Sequence, residues 1–115
     1  MDTATNDPMC KRLAAALKIL GDKWSSLIIQ QLTGGPRRFC EIEHAIGIGP
    51  RTLSQRLDVL EQQEVVAKKQ FNEVPPRVEY SLTEKGADLL PILESMAVWA
   101  AKYPGIDGDQ DKRVP

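Results

Sequence analysis

Apolar positions recur with helical spacing at both ends of the chain and in its middle, and with strand spacing in one stretch between. Leu13, Leu17 and Leu20 fall at i, i+4 and i+7, which predicts a helix from Cys10 to Leu20. Gly21 interrupts the stripe, and Asp22 is suited to cap a second helix. That helix carries Trp24, Leu27, Ile28 and Leu32 on one face and stops at Gly34-Gly35-Pro36. A short helix follows from about Phe39 to Ile46, with Ile42, Ala45 and Ile46 apolar. Gly47-Ile48-Gly49-Pro50 reads as a turn, with Pro50 at the first position of the next helix, where its missing N–H costs nothing. Leu53, Leu57 and Leu60 form the stripe of that helix, which ends near Gln62 and Gln63. Two helices joined by a tight glycine-containing turn are the pattern of a helix-turn-helix.

The period then changes to two. Val65 to Phe71 is β-prone, Asn72-Glu73-Val74-Pro75-Pro76 is turn-forming, and Arg77 to Leu82 alternates with Val78, Tyr80 and Leu82 on one face. A two-stranded hairpin directly after the second helix of the pair is a wing. Thr83 is placed to cap a long helix running to about Lys102. The fold class expected is therefore α+β, mostly α: a winged helix-turn-helix over residues 10–103, with a disordered arm at 1–9 and a disordered tail at 104–115. No internal repeat is present.

The last helix is apolar on more than one side. Leu89, Leu93, Met96 and Ala100 make one stripe, and Ile92, Met96, Trp99 and Tyr103 make another. One stripe suffices to dock a surface helix onto a monomer. The second either wedges the helix deep in the monomer or forms an apolar patch of the kind that marks an interface. The interface reading predicts a twofold homodimer built by N- and C-terminal dimerisation helices through Leu13, Leu17, Ile92, Met96, Trp99 and Tyr103.

At 115 residues the chain has room for one core, and oligomerisation would supplement its limited burial. Apolar residues at 42% and charged residues at 27% are ordinary for a globular protein. No apolar run approaches the ~20 residues that cross a bilayer. The opening MDTATNDP lacks the basic and apolar regions of a secretory signal, so the cytoplasm is the expected location and no membrane partner is expected. Cys10 and Cys40 are then expected to be reduced, and with His44 the single histidine there is no metal-site spacing. Cys40 reads as a small apolar packing residue and His44 as a surface or satisfied histidine, while Trp24 and Trp99 are suited to filling core and interface. No motif calls for a cofactor. No phosphate loop or nucleophile elbow surrounds any serine, which speaks against an enzyme.

A formal net charge of −1 argues against indiscriminate nucleic-acid binding and leaves a local positive stripe as the requirement. The helix from Pro50 supplies one. With its leucines inward, Arg51, Thr52, Ser54, Gln55 and Arg56 face out, two arginines without an acid. Such a helix end in a major groove meets base edges, where Arg pairs with guanine and Gln with adenine, each worth ~1–3 kcal/mol of discrimination. Arg77 at the wing is a candidate for minor-groove or phosphate contact, with Lys68 and Lys69 either supporting it or lying on a solvated strand edge. Arg37 and Arg38 are placed to touch phosphate, or Arg38 to form a buried ion pair, for example with Glu79. The expected partners are double-stranded DNA, a second copy of the chain, and an oxidant or small-molecule effector. The alternative is a winged-helix module that binds protein without DNA.

The order of these pieces resembles the HxlR-type branch of MarR-like (DUF24-type) winged-helix regulators over about residues 10–103. The matching residues are Cys10, Gly21-Asp22-Lys23-Trp24, Arg38-Phe39, Glu41-Ile42, Gly47-Ile48, Arg51, Leu53, Ser54, Leu57 and Leu60-Glu61. The most specific match is Pro75-Pro76-Arg77-Val78-Glu79-Tyr80-Ser81-Leu82-Thr83, followed by Gly86, Leu89-Leu90-Pro91 and Trp99. The chain departs from that pattern at Lys11, where the family often has proline, and at Asp22 and Glu64, where glycine is common. At Gly49 the usual serine hydroxyl, a helix cap or phosphate contact, is missing. The resemblance implies a DNA-binding regulator and makes Cys10 a candidate redox sensor, because the equivalent cysteine senses oxidants or electrophiles in several such proteins. Neighbouring Lys11 and Arg12 and a position at a helix start favour the thiolate. The other reading of Cys10 is an unreactive interface residue.

Overall fold

The computed structural model describes residues 7–106; the rest of the expected N-terminal arm and tail lies outside the described residues. Helix α1 spans Pro8–Leu20 and begins two residues before the expected Cys10. Asp7 explains the early start: its carboxylate accepts from the Met9 N–H at 2.9 Å, and Pro8 fills the first helical position. After Gly21, Asp22 caps α2, Lys23–Gln31, by accepting from the Trp24 N–H at 2.9 Å. The corner between α1 and α2 is tight: a Cβ on Gly21 would lie 2.5 Å from the Leu17 carbonyl oxygen. Ser26 stitches it from the other side, donating to the Leu20 carbonyl at 3.0 Å.

Strand β1 is the two-residue Arg37–Arg38, followed by α3, Phe39–Ile46, and α4, Pro50–Gln62. Gly47 ends α3 in the left-handed region at φ 68°, a conformation glycine adopts without a Cβ penalty. Strands β2, Val66–Phe71, and β3, Arg77–Leu82, form the hairpin with Phe71 opposite Arg77 and Val66 opposite Leu82. The sheet has three strands rather than the two expected, in the order β1-β3-β2, because Arg37 and Arg38 pair antiparallel with Tyr80 and Glu79. Without β1 that edge of β3 would carry unpaired N–H and C=O groups.

The expected long C-terminal helix is two pieces, α5 at Glu84–Ala87 and α6 at Leu90–Ala101. Pro91 accounts for the break: it has no N–H to donate, and its ring would clash with the carbonyl four residues earlier, on Ala87. Thr83 caps α5 as expected, accepting from the Gly86 N–H at 3.0 Å while its hydroxyl donates to the Glu64 carbonyl at 2.6 Å. Gly86 lets α5 press against the start of the sheet, since a Cβ there would lie 2.1 Å from the Val65 carbonyl oxygen.

Ile28 and Ile29 of α2, Ile42 of α3, Leu53, Leu57 and Leu60 of α4, and Val65 and Val66 at the start of β2 are the fully buried heart of the core. Leu89, Leu90 and Leu93 cover it from the start of α6. The core thus fixes α3 and α4 against one another and seats the wing beside them, which determines what the outer face of α4 presents.

Candidate nucleic-acid interface

Helix α4 begins at Gly49 in extended conformation with no side-chain cap and Pro50 at its first turn. Its apolar stripe of Leu53, Leu57 and Leu60 is buried, so the rotation of the helix is set by packing. Arg51, Ser54 and Gln55 are exposed and Thr52 is half-buried. Arg51 and Gln55 stand one turn apart on the same face.

Arg56 is placed differently. Its Nε faces Asp22 Oδ2 as an ion pair, without the alignment of a hydrogen bond, and both side chains are half-buried. Asp22 does more than the capping its position predicts: one of its carboxylate oxygens caps α2 and the other meets Arg56.

On the wing, Lys68 and Lys69 are exposed, with the Lys69 ammonium 5.0 Å from the Phe71 ring centroid. Arg77 is engaged from three sides. It lies 3.0 Å from a Glu73 carboxylate oxygen, 3.7 Å from one on Glu79, and its guanidinium carbon stacks 3.9 Å from the Phe71 ring centroid. The two flanking glutamates were visible in the sequence as the signal for this clamp. Glu79 therefore pairs with Arg77 and not with Arg38, which is exposed at the start of α3, its backbone N–H donating to the Glu41 carboxylate at 2.8 Å. Arg37 is engaged too, its Nε donating to the Gln31 carbonyl at 3.0 Å. The loop between the strands leaves Val74 fully exposed at its tip. Tyr80, on the wing's core-facing side, has its phenol pushed above its ordinary value of 10.0, first by burial, which disfavours the phenolate, with Glu61 and Asp58 adding to the rise and Lys68 opposing it.

Cys10 sits half-buried in the first turn of α1. Cys40 is not the packing residue expected: it is exposed on α3, because Ile42 and not Cys40 takes the core-facing position. His44 is exposed, with Nδ1 3.2 Å from the Cys40 carbonyl oxygen. Among the described residues no group of three His, Cys, Asp or Glu side chains is placed to hold a metal ion, and no helix is long and apolar enough to cross a membrane.

The terminal helices present apolar side chains to solvent: Met9, Leu13 and Leu17 on α1, and Ile92, Met96, Val98 and Trp99 on α6, with Tyr103 just beyond. Trp99 and Tyr103 stack with ring centroids 5.3 Å apart. No residue of α6 is fully buried, so the helix is not wedged into the monomer.

Two core-packed helices meeting at a glycine turn, the second with a polar and basic outer end and a basic hairpin beside it, define a winged helix-turn-helix domain. The chain belongs to the HxlR-like helix-turn-helix family, whose pattern it matches over residues 19–107. It is 45% identical over 96 residues to the HTH-type transcriptional regulator YvaP of Bacillus subtilis, covering 83% of this chain and 89% of that one. It is 41% identical over 96 residues to the transcriptional regulator YodB of the same organism, covering 83% and 86%. The structure of YodB in its reduced form superposes with a TM-score of 0.73 at 38% identity, covering 85% of this chain and 94% of that one. YodB has also been solved diamide-treated and quinone-bound. A MarR-family regulator from Porphyromonas gingivalis W83 gives a TM-score of 0.77 at 38% identity, covering 84% and 95%.

Proposed function

We propose that the protein is a cytoplasmic transcription regulator that binds an imperfect palindrome in duplex DNA as a homodimer and releases it when an oxidant or electrophile modifies Cys10. One observation carries the DNA-reading part: the outer end of α4 is core-fixed, exposes Arg51, Ser54 and Gln55, and has no acid before Asp58. In this reading Arg51, Thr52, Ser54 and Gln55 meet base edges, and Arg38, Lys68 and Lys69 meet phosphates. Arg77 holds the shape of the wing loop through Glu73, Glu79 and Phe71. Residues 10–103 form the functional unit, and the reading is of a binding protein, not an enzyme, in keeping with relatives that are transcriptional regulators.

The dimer reading rests on the exposed apolar faces of α1 and α6, with Leu13, Leu17, Ile92, Met96, Trp99 and Tyr103 as contacts. The Cys10 reading rests on its position at the start of α1 beside Lys11 and Arg12, and on YodB having diamide-treated and quinone-bound forms. A twofold pair would set two α4 helices into major grooves about one helical turn apart, and an effector would change their spacing through α1 and α6.

Selection from a random duplex library tests the reading. A palindromic motif recovered by the dimer is the expected result. No enrichment at low salt from a folded dimer would contradict it and favour a protein partner for α4. For the sensor, diamide is expected to release DNA from the wild type and not from Cys10→Ser; equal release from both would remove Cys10 from that role.

A further inference from the structure

We infer that Arg56, although it lies in the recognition helix, is a positioning residue: its ion pair with Asp22 ties α4 to the corner between α1 and α2 and so helps hold the DNA-reading face in place. The inference deepens the DNA-reading role proposed above and rests on it.

The Asp22 carboxylate divides its two oxygens between two helices. Oδ1 accepts from the Trp24 N–H at 2.9 Å and so caps α2, while Oδ2 faces Arg56 of α4. The corner that carries Asp22 has little freedom. The Gly21 N–H donates to the Leu17 carbonyl at 2.8 Å, the Asp22 N–H to the Ile19 carbonyl at 3.3 Å, and the Ser26 hydroxyl to the Leu20 carbonyl at 3.0 Å. Asp22 therefore moves with the end of α1. That helix buries only Leu20 and exposes Met9, Leu13 and Leu17, so this corner is its main anchor to the core. Arg56 in turn follows directly on Ser54 and Gln55 and precedes the buried Leu57, at the edge between the outer and core faces of α4. An ion pair there adds a polar restraint to the rotation that the buried leucine stripe already sets. Both side chains are about one-third exposed or less, at 33% and 28%, so the pair is neither a freely solvated contact nor a deeply buried one. An arginine held in this way is not free to read a base, which leaves Arg51 and Gln55 as the long outward side chains of the helix end.

The geometry allows the tie to be cut without damaging the cap. Asn caps helices about as well as Asp, so Asp22→Asn keeps the bond to Trp24 and removes the charge that holds Arg56. Library selection and affinity measurement on the wild type, Asp22→Asn, Arg56→Ala and the double variant test the inference. Both single variants are expected to select the wild-type motif base for base, with affinity lowered roughly fivefold or more, and the double variant is expected to be no worse than either, as for two ends of one contact. If Arg56→Ala relaxes the choice at one base pair while Asp22→Asn binds as tightly as the wild type, Arg56 reads a base and the inference is wrong. Unchanged affinity in both single variants overturns it as well. Should the wild type select no motif at all, the DNA-reading role fails and the tie is judged by urea unfolding of the same four proteins. Non-additive stabilities then sustain it as a link between α1 and α4, and additive ones refute it.

Discussion

The helix-turn-helix and wing and the two terminal helices are built on opposite principles. Every buried apolar side chain of the described residues lies from Leu20 to Val66, so α2, α3, α4 and the start of the sheet supply nearly all of the core, with Leu20 added from the end of α1 and Leu89, Leu90 and Leu93 covering it from α6. Helix α6 is more apolar than α4, yet it buries no residue completely and leaves Trp99 at 54% and Met96 at 50% exposure. Helix α1 exposes its apolar face likewise, with Leu13 at 57%, and buries only Leu20 at its end. The difference separates two tasks. In the proposed function, the half that carries the outer face of α4 is held largely by its own packing, whereas the terminal helices keep exposed apolar area for a second copy of the chain. Apolar content alone therefore does not locate a core; the neighbours available to each face decide it.

The largest effect that would break this comparison is in the core. Ile28→Ala removes methyl groups from a site with no exposure and is expected to cost about 2–5 kcal/mol in urea unfolding. A loss well under 1 kcal/mol would mean that the core is not where the stability resides. Next, Trp99→Glu introduces a charge on the α6 face; large aromatic residues at interface centres commonly contribute about 2 kcal/mol or more to association. A shift from dimer to monomer in light scattering, with the circular dichroism of the wing and helices retained, is the expected outcome. Unfolding of that variant would instead make α6 part of the monomer core.

A smaller change sharpens the reading of the junction between α4 and the sheet. Glu64 holds a φ of 62°, the left-handed region that costs a residue with a Cβ roughly 1 kcal/mol relative to glycine. Glu64→Gly is accordingly expected to raise the urea midpoint by the equivalent of about 0.5–1 kcal/mol, and a fall in midpoint would show that the glutamate side chain contributes more than the strain costs. The smallest effect concerns Tyr80. Its phenol ionises at higher pH in the folded protein than in the unfolded chain, so the neutral form favours folding. That contribution is complete below pH 10.0, the unfolded value, and is lost as pH rises from there through the folded value. Tyr80→Phe should flatten this part of the alkaline decline in stability; identical slopes for the two proteins above pH 10.0 would dismiss the burial of the phenol as the cause.

Much of the fold could be read from periodicity because the elements concerned carry a single buried face. Leu53, Leu57 and Leu60 locate α4 and its outer residues, and the alternation of Arg77 to Leu82 locates β3. What escaped was set by tertiary partners. Strand β1 is two arginines with no alternation of their own, and it exists because β3 offers an open edge. The helix expected from Thr83 to about Lys102 takes no account of the break that Pro91 imposes at Asp88 and Leu89, where the apolar stripe begins. The same limit applies to the interface. Arg51, Ser54 and Gln55 emerge where an outward face predicts them, but the carboxylates that engage Arg56 and Arg77 depend on how α2 and the wing fold back. At Glu64 only the backbone shows that the position demands a left-handed residue.

The proposed division of labour makes the stoichiometry of binding its most direct test. The mass of the complex formed on a duplex carrying two selected half-sites about one helical turn apart, measured by light scattering, should correspond to two chains per duplex, and a duplex with a single half-site should bind far more weakly. One chain per duplex, bound equally well by a single half-site, would contradict the account: the apolar faces of α1 and α6 would then have no part in DNA recognition.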